Sequence, residues 1–470
     1  MSDQAIRGFP QPVHFIGIGG AGMSGIAMVL AELGVDVRGS DLKASRYTRH
    51  LVDAGVPVTI GHDAGNLGNA ALVVTSSAIA DGNPEVRAAR AAGLPVLRRA
   101  EMLARIMAMR RGIAVAGTHG KTTTSSMISH VLRQAGLDPT FLVGGELNDI
   151  GSNAGVGQGE WLVAEADESD GSLLYLRPEV AVVSNVELDH HANYGCLDDV
   201  RDVFRRFVAL LPQDGLLVVV AGSGGEELAA HTRAETVVVG IDAGDLRATV
   251  EAVDDRGSRF TVREAAGAEL ASIELRVPGQ HNVLNALTAI AVLRHAGVSP
   301  EDAAPHLLTF SGAARRYQHK GEHEGVVVID DYAHHPTEIA ATLTAAMNGG
   351  HRRVIAVFQP HLFSRTRYLQ REFGRALTLA DEAIVTEIFP SREEPEPGIS
   401  GKLIVDAYLA ERPGGPIAFL PRLSDVVASL APRVRSGDLV LTLGAGDVFH
   451  AGEELLATLA GQGEEAACAE

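Results

Sequence analysis

Three segments of the chain share one order: an apolar run, then a glycine-rich or polar turn, then a predicted helix. They cover residues 13–33, 112–132 and 326–346, and a further apolar run follows at 354–358. Strands that alternate with helices in this way form parallel sheets covered by helices. The pattern therefore predicts an α/β protein built from strand–turn–helix units.

Two junctions between these units are predicted. A helix at residues 100–109 precedes the second unit, which places one junction near 107–112. A polar stretch at 310–325 separates a helix that ends near Leu308 from the third unit. The chain has 470 residues, which is too long for one hydrophobic core. We therefore expect three domains, at residues 1–108, 109–313 and 314–470.

The pattern changes between residues 216 and 277, where short β-rich runs replace the alternation with helices. These runs cover residues 217–220, 236–239 and 270–277. Strands that follow one another without helical crossovers favour antiparallel pairing. We therefore expect an antiparallel or mixed edge in this part of the sheet.

The composition of the chain limits which partners and which cellular compartment are expected. The 59 acidic and 40 basic residues give a formal net charge of −19, which disfavours nucleic acid as a partner. Only two cysteines occur, Cys196 and Cys468, so we expect no disulfide framework and a reducing compartment. The sequence shows neither the pattern of a signal peptide nor an uncharged apolar run of about 18 residues. We therefore expect a cytoplasmic protein without membrane insertion.

The turn of the first unit carries the glycine spacing of a dinucleotide-binding fingerprint. Gly17, Gly19 and Gly22 follow the strand, and Asp41 comes at the end of the next strand, predicted at residues 35–39. Glycines let the backbone approach a pyrophosphate, which sits at the positive helix N-terminus. The spacing predicts a site for a diphosphate nucleotide, with a structural tight turn as the alternative. It leaves open which nucleotide is bound.

The turn of the second unit predicts a second, different phosphate site. Gly117, Gly120, Lys121 and Thr122 form a compact GxxGKT between an apolar strand and a helix, although a common P-loop would have its first glycine at Val115. Backbone N–H groups of such a loop bind phosphate oxygens. The lysine reaches the β and γ phosphates, and the threonine hydroxyl can bind Mg²⁺.

Acidic and histidine side chains follow two strands near this turn. The first group is Glu165, Asp167, Glu168 and Asp170, and the second is Asn185, Glu187, Asp189, His190 and His191. Carboxylates crowded at a strand end repel one another unless a cation or solvent relieves them. Magnesium needs few carboxylates beside phosphate and water oxygens, so Glu165 and one later residue would suffice. Capping or solvated carboxylates are the alternative. Cys196 lacks flanking groups that would activate it as a nucleophile.

Ordered motifs along most of the chain resemble the Mur ligase family. They are GIGGAGMSG, GTHGKTTT, EADESD, NVELDHHANY, GQHNVLN, DDYAHHPTE, QPHLFSR, EEPEPGISG and LGAGD. Several motifs in one order are far more specific than any one of them. The resemblance implies an N-terminal Rossmann-like domain that binds UDP, a central P-loop ATPase-type domain and a C-terminal Rossmann-like domain that receives an amino acid.

The resemblance is strongest to the alanine-adding branch of the family. It implies ATP-dependent ligation of L-alanine to the lactyl carboxylate of UDP-N-acetylmuramate through an acyl phosphate, in the synthesis of peptidoglycan precursors. ATP and Mg²⁺ would be the cofactors. UDP-N-acetylmuramate and L-alanine would be the partners, and the chain would be a monomer or a weak dimer.

The same resemblance assigns site residues by motif. The UDP-sugar would lie against Gly17, Gly19, Gly20, Gly22, Ser40, Asp41 and Ser76. ATP would be bound by Gly117, Thr118, His119, Gly120, Lys121, Thr122, Thr123, His281, Asn282, Asn285 and, across the domain junction, Arg315. Magnesium would be held by Thr122, Glu165 and His190. Alanine and the acyl phosphate would lie near Tyr332, His334, His361 and Arg365. Lys121, His334 and Arg365 would carry the catalysis.

Two positions depart from the family pattern. Other Mur ligases often carry a carbamylated lysine after the DH motif, which helps to hold a second magnesium ion. Residues 192–215 contain no lysine, and the alanine-adding branch also lacks it, so the number of metal ions stays open. Leu362 stands where some members have an arginine, which would leave the alanine carboxylate more dependent on Arg365.

Other functions fit parts of this sequence. A recycling ligase of the same family would join a preformed peptide to the same sugar. A nicotinamide dehydrogenase would explain the first glycine turn but not the second. A binding module that is switched by a nucleotide is a third alternative. A magnesium site beside a phosphate loop usually indicates phosphoryl transfer, which such a module would not catalyse. For His334, a structural histidine that caps the following helix is as plausible as a base for the amine proton.

Overall fold

The computed structural model describes residues 9–467 apart from positions 77, 192 and 392, with side chains described up to residue 461. Cys468 lies outside the described residues. The described chain forms three sheets that follow one another in sequence, with five, ten and six strands. Sheet membership changes between residues 98 and 111 and again between residues 275 and 318. The α/β class with three successive units is therefore confirmed, while the exact domain limits stay predictions.

The first sheet is parallel throughout, with the strand order β3-β2-β1-β4-β5. This order is that of the dinucleotide-binding α/β fold, in which ligands bind where the strand order reverses, beside β1. Its strands are β1 (Val13–Ile16), β2 (Val37–Asp41), β3 (Val58–Ile60), β4 (Leu72–Thr75) and β5 (Val96–Arg98). Its helices are α1 (Ala21–Glu32), α2 (Arg46–Asp53), α3 (Pro84–Ala91) and α4 (Arg99–Met107), with a 3₁₀ turn at Ala64–Leu67.

The second sheet has the order β15-β14-β13-β12-β11-β10-β6-β9-β7-β8. Its strands are β6 (Arg111–Ala116), β7 (Thr140–Leu147), β8 (Ser152–Gly155), β9 (Trp161–Glu165), β10 (Val180–Val183), β11 (Leu216–Val220), β12 (Glu235–Ile241), β13 (Leu246–Asp254), β14 (Gly257–Glu264) and β15 (Glu269–Leu275). Its helices are α5 (Lys121–Gln134), α6 (Leu197–Val208), α7 (Gln280–His295) and α8 (Pro300–Thr309), with 3₁₀ turns at Ser172–Tyr175 and Glu226–His231. Strands β13 to β15 pair antiparallel, which confirms the expected mixed edge.

The third sheet has the order β16-β17-β21-β18-β19-β20 and is parallel except for β16. Its strands are β16 (Gln318–His323), β17 (Val326–Asp331), β18 (Arg353–Phe358), β19 (Glu382–Val385), β20 (Ile417–Phe419) and β21 (Asp438–Leu443). Its helices are α9 (Pro336–Met347), α10 (Phe363–Leu377), α11 (Lys402–Glu411), α12 (Leu423–Leu430) and α13 (Phe449–Ala467).

Central strands of all three sheets are buried on both faces. Strands β1, β10, β11 and β21 are buried at every position and consist almost entirely of apolar residues. Continuous apolar strands of this kind need helices on both faces of the sheet. This layering leaves the carboxyl ends of the strands as the place where polar side chains can meet a ligand.

The first domain packs directly on the second. Helix α1 lies against β7 and β8, and Asn153 Nδ2 donates to the backbone oxygen of Ala21 at 3.0 Å. A Cβ on Gly25 would lie 3.2 Å from Ala154, so the helix approaches the strand closely. The glycine turn before α1 is thereby held next to the central domain.

Across the described residues, no helix is both long enough and apolar enough to cross a membrane.

Candidate active site

The second glycine turn, residues 117–123 (the nucleotide loop), connects β6 to α5. Gly120 caps α5 in the left-handed region at φ +79°, and Gly117 has φ +125°. A Cβ on Gly117 would collide with the Oγ of Ser184, so only glycine fits there. Because a glycine cap offers no side chain, the first N–H groups of α5 remain for an anion. The loop therefore has the backbone geometry of a phosphate site.

Lys121, the first residue of α5, folds back over the nucleotide loop. Its Nζ donates to the backbone oxygen of Gly117 at 2.6 Å and to the carboxylate of Glu168 at 2.9 Å. Burial alone would lower the pKa of Lys121, but Glu168 and Asp167 raise it above its ordinary value. The ammonium group is therefore charged at neutral pH. Glu168 is itself buried, and the sequence indicated it only as one of four carboxylates after β9.

A cavity of about 240 Å³ opens beside the nucleotide loop. Burial lowers the pKa of His281 to about 4, so this ring is neutral at physiological pH and can pack against a heterocycle. Six residues that were predicted to bind the nucleotide line the cavity: His119, Gly120, Thr123, His281, Asn282 and Asn285.

Asn282 and Asn285 join the start of α7 to the nucleotide loop. Asn285 Nδ2 donates to Asn282 Oδ1 at 3.1 Å, and Asn285 Oδ1 accepts from Thr124 Oγ1 at 3.3 Å. A Cβ on Gly120 would lie 2.7 Å from Asn285 Oδ1. The GQHNVLN motif thus contacts the GTHGKTTT motif, although the two are far apart in sequence. Thr118 ties the loop to the strand end after β10, because its Oγ1 accepts from the backbone N–H of Glu187 at 3.0 Å.

Arg315 and its neighbour Arg316 have different partners, and only Arg316 also reaches the central domain. Arg315 Nε donates to Asp330 at 2.8 Å, and its other nitrogens reach the backbone oxygens of Gly444 and Gly446. These partners all belong to the third domain. Arg316 instead reaches the nucleotide loop, with its Nη2 3.5 Å from Thr122 Oγ1, and it lines the cavity. Arg315, to which the sequence assigned a nucleotide contact across the domain junction, is thus bonded within the third domain, and that assignment stays a prediction.

The predicted metal ligands lie in two places. Glu165 accepts a hydrogen bond from the backbone N–H of Gly144 at 2.6 Å, at the end of β9. A Cβ on Gly144 would lie 2.6 Å from the other oxygen of Glu165, so a glycine leaves room beside that oxygen, and a Cβ on Gly145 would lie 3.2 Å from the methyl carbon Cγ2 of Thr122. A carboxylate and a hydroxyl are ligands that Mg²⁺ accepts alongside water and phosphate. His190 lies 3.5 Å from Glu168, the residue that holds Lys121.

The first glycine turn, which connects β1 to α1, is closed by Asp41. The backbone N–H of Gly19 donates to Asp41 Oδ2 at 2.8 Å, and a Cβ on Gly19 would meet the same oxygen at 2.9 Å. Gly17 has φ +78°, and a Cβ there would lie 3.9 Å from Ser76 Oγ. Gly20 caps α1, which leaves the first N–H groups of this helix for an anion.

Ser40, which was predicted to bind the UDP-sugar, and Arg99, which the motifs did not indicate, both lie at this turn. The side chain of Ser40 is fully buried and donates to Glu85 at 2.8 Å, so only its backbone oxygen faces the turn, where it accepts from the N–H of Gly17. Arg99 lies beside Gly22, since a Cβ on that glycine would be 3.3 Å from its guanidinium. Arg99 also pairs with Asp167 at 3.5 Å and so connects the first turn to the central domain.

Third-domain residues predicted to receive the amino acid lie together. The rings of Tyr332 and His334 are 5.3 Å apart, those of His334 and His361 are 6.0 Å apart, and Arg365 Nη1 donates to His361 Nδ1 at 3.1 Å. Arg365 makes a buried two-point pair with Asp189 of the central domain, at 2.9 and 3.0 Å. This pair fixes the predicted amino-acid residues next to His190 and the nucleotide loop.

His334 is held in its neutral form. Burial lowers its pKa to about 3, although Glu338 opposes the shift, so the ring is neutral at physiological pH. Its Nδ1 lies 2.9 Å from the backbone oxygen of Tyr332, which can only accept, so Nδ1 carries the proton and Nε2 the lone pair. The capping role considered for His334 belongs to His335, whose Nδ1 accepts from the N–H of Thr337 at 3.4 Å.

Comparison with known proteins agrees with this geometry. Three domain models of the Mur ligase family match the chain. They are the catalytic domain over residues 12–111, the middle domain over residues 115–293 and the glutamate ligase domain over residues 315–446. A UDP-N-acetylmuramate–L-alanine ligase of Rubrobacter xylanophilus is 52% identical over 95% of this chain and all of its own length. A protein of the same name from Renibacterium salmoninarum is 47% identical over 96% of this chain and 97% of its own.

Solved structures give the same result. The UDP-N-acetylmuramate–alanine ligase of Thermotoga maritima superposes with a TM-score of 0.81 at 30% identity, over 96% of this chain and 99% of its own. A murein peptide ligase of Psychrobacter arcticus superposes with a TM-score of 0.72 at 28% identity, over 95% and 98%. These full-length matches leave no room for a nicotinamide dehydrogenase. The chain belongs to the Mur ligase family.

Proposed function

We propose that this chain joins L-alanine to the lactyl carboxylate of UDP-N-acetylmuramate with ATP as the energy source. The observation that supports the proposal is the buried pair of Arg365 with Asp189, which holds the residues predicted to bind the amino acid next to the nucleotide loop. The relatives named as alanine ligases, at 44% to 52% identity over nearly the whole chain, favour alanine as the amine.

The first step activates the carboxylate. A lactyl carboxylate oxygen attacks the γ-phosphorus of ATP, the bond to the β-phosphate oxygen breaks, and ADP and an acyl phosphate result. Lys121 would neutralise charge on the transferring group by exchanging its loop oxygens and Glu168 for phosphate oxygens. The adenine would occupy the cavity beside His281, and Arg316 would approach the phosphates from the third domain.

Thr122 and Glu165 are the residues that fit a magnesium ion, with His190 as a further ligand. Such an ion would supply charge neutralisation and orientation of phosphate oxygens. The fit rests on the Glu165 oxygen beside Gly144 and on the Thr122 hydroxyl in the first turn of α5.

The second step forms the amide. The amino group of alanine attacks the acyl carbon, the bond to the phosphate oxygen breaks, and inorganic phosphate leaves. His334 Nε2 would take the proton from the amine, since its lone pair is free to accept it at neutral pH. Arg365 would bind the alanine carboxylate or the acyl phosphate. Contact between the second and third domains would exclude water, which would otherwise hydrolyse the acyl phosphate.

The UDP part of the sugar nucleotide would lie at the first glycine turn. The N-terminus of α1 would bind the pyrophosphate, and Ser76 lies beside the same turn. Arg99, between Gly22 and Asp167, would lie along the path from this turn to the nucleotide loop. We also propose that the protein works in the cytoplasm, because its substrates would be soluble there, and that it is a monomer or a weak dimer.

Phosphate release from ATP tests the proposal. Purified chain is mixed with ATP, magnesium and UDP-N-acetylmuramate, and either L-alanine or a tripeptide is added last. Release that requires alanine, with the mass of one alanine gained by the sugar nucleotide, is the expected result. Release that responds only to the peptide would transfer the assignment to a recycling ligase. Without release in either mixture, the proposed reaction is wrong.

A further inference from the structure

Three potential metal ligands meet between the nucleotide loop and the third domain. His119 belongs to the loop, Glu187 follows β10, and His335 caps α9. One nitrogen or oxygen from each lies within 4.8 Å of the others. Among the described residues, this His119–Glu187–His335 group (the HEH cluster) is the one set of three such side chains that meets this spacing.

The imidazoles of the HEH cluster are buried and incompletely bonded. The exposed fraction is 9% for His119 and 5% for His335, and the ring centroids are 4.5 Å apart. Within the described part of the chain, neither Nε2 atom has a hydrogen-bond partner. The carboxylate of Glu187 faces His119 Nε2 and His335 Nδ1, and from the described residues that Nδ1 accepts only the long cap bond of Thr337 at 3.4 Å. Buried imidazoles that are so weakly bonded are rare and cost free energy, so two of them around one carboxylate point to a ligand.

The donor set indicates the class of ion. Two imidazole nitrogens and one carboxylate oxygen are the three-ligand set of many zinc sites, which leave a fourth position to water or substrate. Magnesium prefers oxygen ligands, so the HEH cluster differs in chemistry from Thr122 and Glu165. Metal–ligand bonds of about 2.0–2.2 Å in a tetrahedral site place two ligand atoms about 3.4 Å apart. Glu187 Oε2 lies 3.4 Å from His119 Nε2 and 3.7 Å from His335 Nδ1, close to that spacing.

We propose that the HEH cluster binds a zinc ion that joins the central and third domains. His119 and Glu187 belong to the central domain, and His335 belongs to the third domain. A bound ion would therefore hold α9 against the nucleotide loop. Because turnover requires nucleotide to enter and leave this junction, zinc would slow the enzyme in the proposed function. Zinc binding itself does not depend on that function.

A competing account needs no metal. His119 lies 3.4 Å from both Glu187 and Glu338, so it could act as a cation between two carboxylates. His335 would then be only the cap of α9. The two accounts differ in whether removal of His335 changes metal affinity.

Calorimetric titration of Zn²⁺ into the tag-free full chain, without nucleotide or magnesium, measures the site directly. Co²⁺ replaces zinc in a second experiment, because four-coordinate Co²⁺ has intense visible bands that six-coordinate Co²⁺ lacks. The variants are His335→Gln and Glu187→Gln. The matched control is His450→Gln, which removes the histidine of an exposed His450–Glu453 pair 3.3 Å apart.

We expect one zinc equivalent in the wild type and in His450→Gln, with intense Co²⁺ bands. Each HEH variant should weaken zinc binding by at least about 100-fold, because loss of a ligand costs more than the 10–100-fold of a lost outer-shell contact. Unchanged zinc affinity in His335→Gln would overturn the proposal, whatever the result for Glu187→Gln. So would loss of binding in Glu165→Gln alone, which would place zinc at the predicted magnesium site. Circular dichroism of each variant shows whether it is folded.

Discussion

The Asp189–Arg365 pair holds the third domain on the central domain, and its removal gives the sharpest test of the proposed geometry. The exposed fraction is 3% for Arg365 and 4% for Asp189. Burial would raise the pKa of Asp189, but Arg365 and His190 hold it well below its ordinary value. The carboxylate is therefore ionised throughout the range in which the enzyme would be assayed. Asp189→Asn removes the charge and keeps the size.

The expected loss of activity in Asp189→Asn follows from the burial of the ion pair. Removing one partner of a buried ion pair costs about 3–5 kcal/mol, because the other charge stays buried without compensation. Asparagine keeps one acceptor oxygen for the guanidinium, so we expect the lower end, about 3 kcal/mol. At about 1.4 kcal/mol per tenfold, kcat/KM for alanine should fall by about 100-fold.

The assay is alanine-dependent phosphate release at varied alanine concentration. Asp425→Asn is the matched control, because Arg422 contacts Asp425 by the same two-point geometry at 2.9 and 3.0 Å, but on the surface. Exposed pairs contribute about 0–1 kcal/mol, so this variant should lose less than about fivefold. A double-mutant cycle with Arg365→Lys should show a coupling energy above about 1 kcal/mol. Activity of Asp189→Asn within threefold of wild type, or an additive cycle, would refute the reasoning.

Three further predictions concern the loop, the domain junction and the first domain. Lys121→Ala should abolish phosphate release while UDP-sugar affinity, measured by calorimetry, changes less than about threefold; near-normal turnover would remove the loop assignment. Arg316→Ala should raise KM for ATP by about 10-fold or more, since charged hydrogen bonds contribute about 1.5–3 kcal/mol, whereas Arg315→Ala should mainly lower Tm; the opposite pattern would restore the role to Arg315. Burial would raise the pKa of Glu85, but hydrogen bonds from His14, Ser40, His62 and Asn66 lower it to about 2 from 4.5. The carboxylate thus stabilises the fold above pH 4.5, and Glu85→Gln should cost about 3 kcal/mol there, with a deficit that shrinks as the pH falls from 4.5 towards 2; a pH-independent deficit would contradict this.

The sequence predicted those parts of the molecule that depend on local pattern. Apolar runs before glycine turns gave the three strand–turn–helix units, because a strand buried on both faces must be continuously apolar. Element ends were less well predicted: β2 covers Val37–Asp41 where residues 35–39 were expected, and α4 begins at Arg99 and ends at Met107. The glycines of both turns also predicted the local backbone correctly. Positive φ and a close approach of the backbone exclude most residues that carry a Cβ atom.

Side-chain direction could not be predicted from the motifs. Arg315 has φ +61° and Tyr317 has φ +49°, so the backbone turns twice around Arg316 and directs neighbouring arginines to different partners. A motif assigns a role to a position in the sequence and does not give the direction of each side chain. Ser40 faces Glu85 because the first domain buries a carboxylate that needs donors, and Glu85 lies 45 residues away in sequence. The HEH cluster joins three separate motifs and exists only after two domains have packed.

Transfer of oxygen from the substrate to phosphate tests the central claim most directly. UDP-N-acetylmuramate labelled with ¹⁸O in both lactyl carboxylate oxygens is incubated with the chain, ATP, magnesium and L-alanine. If the carboxylate attacks the γ-phosphorus and phosphate later leaves the acyl carbon, the released phosphate carries one ¹⁸O and the amide product keeps the other. Phosphate without label, in a mixture that still forms the alanine adduct, would contradict the acyl-phosphate mechanism.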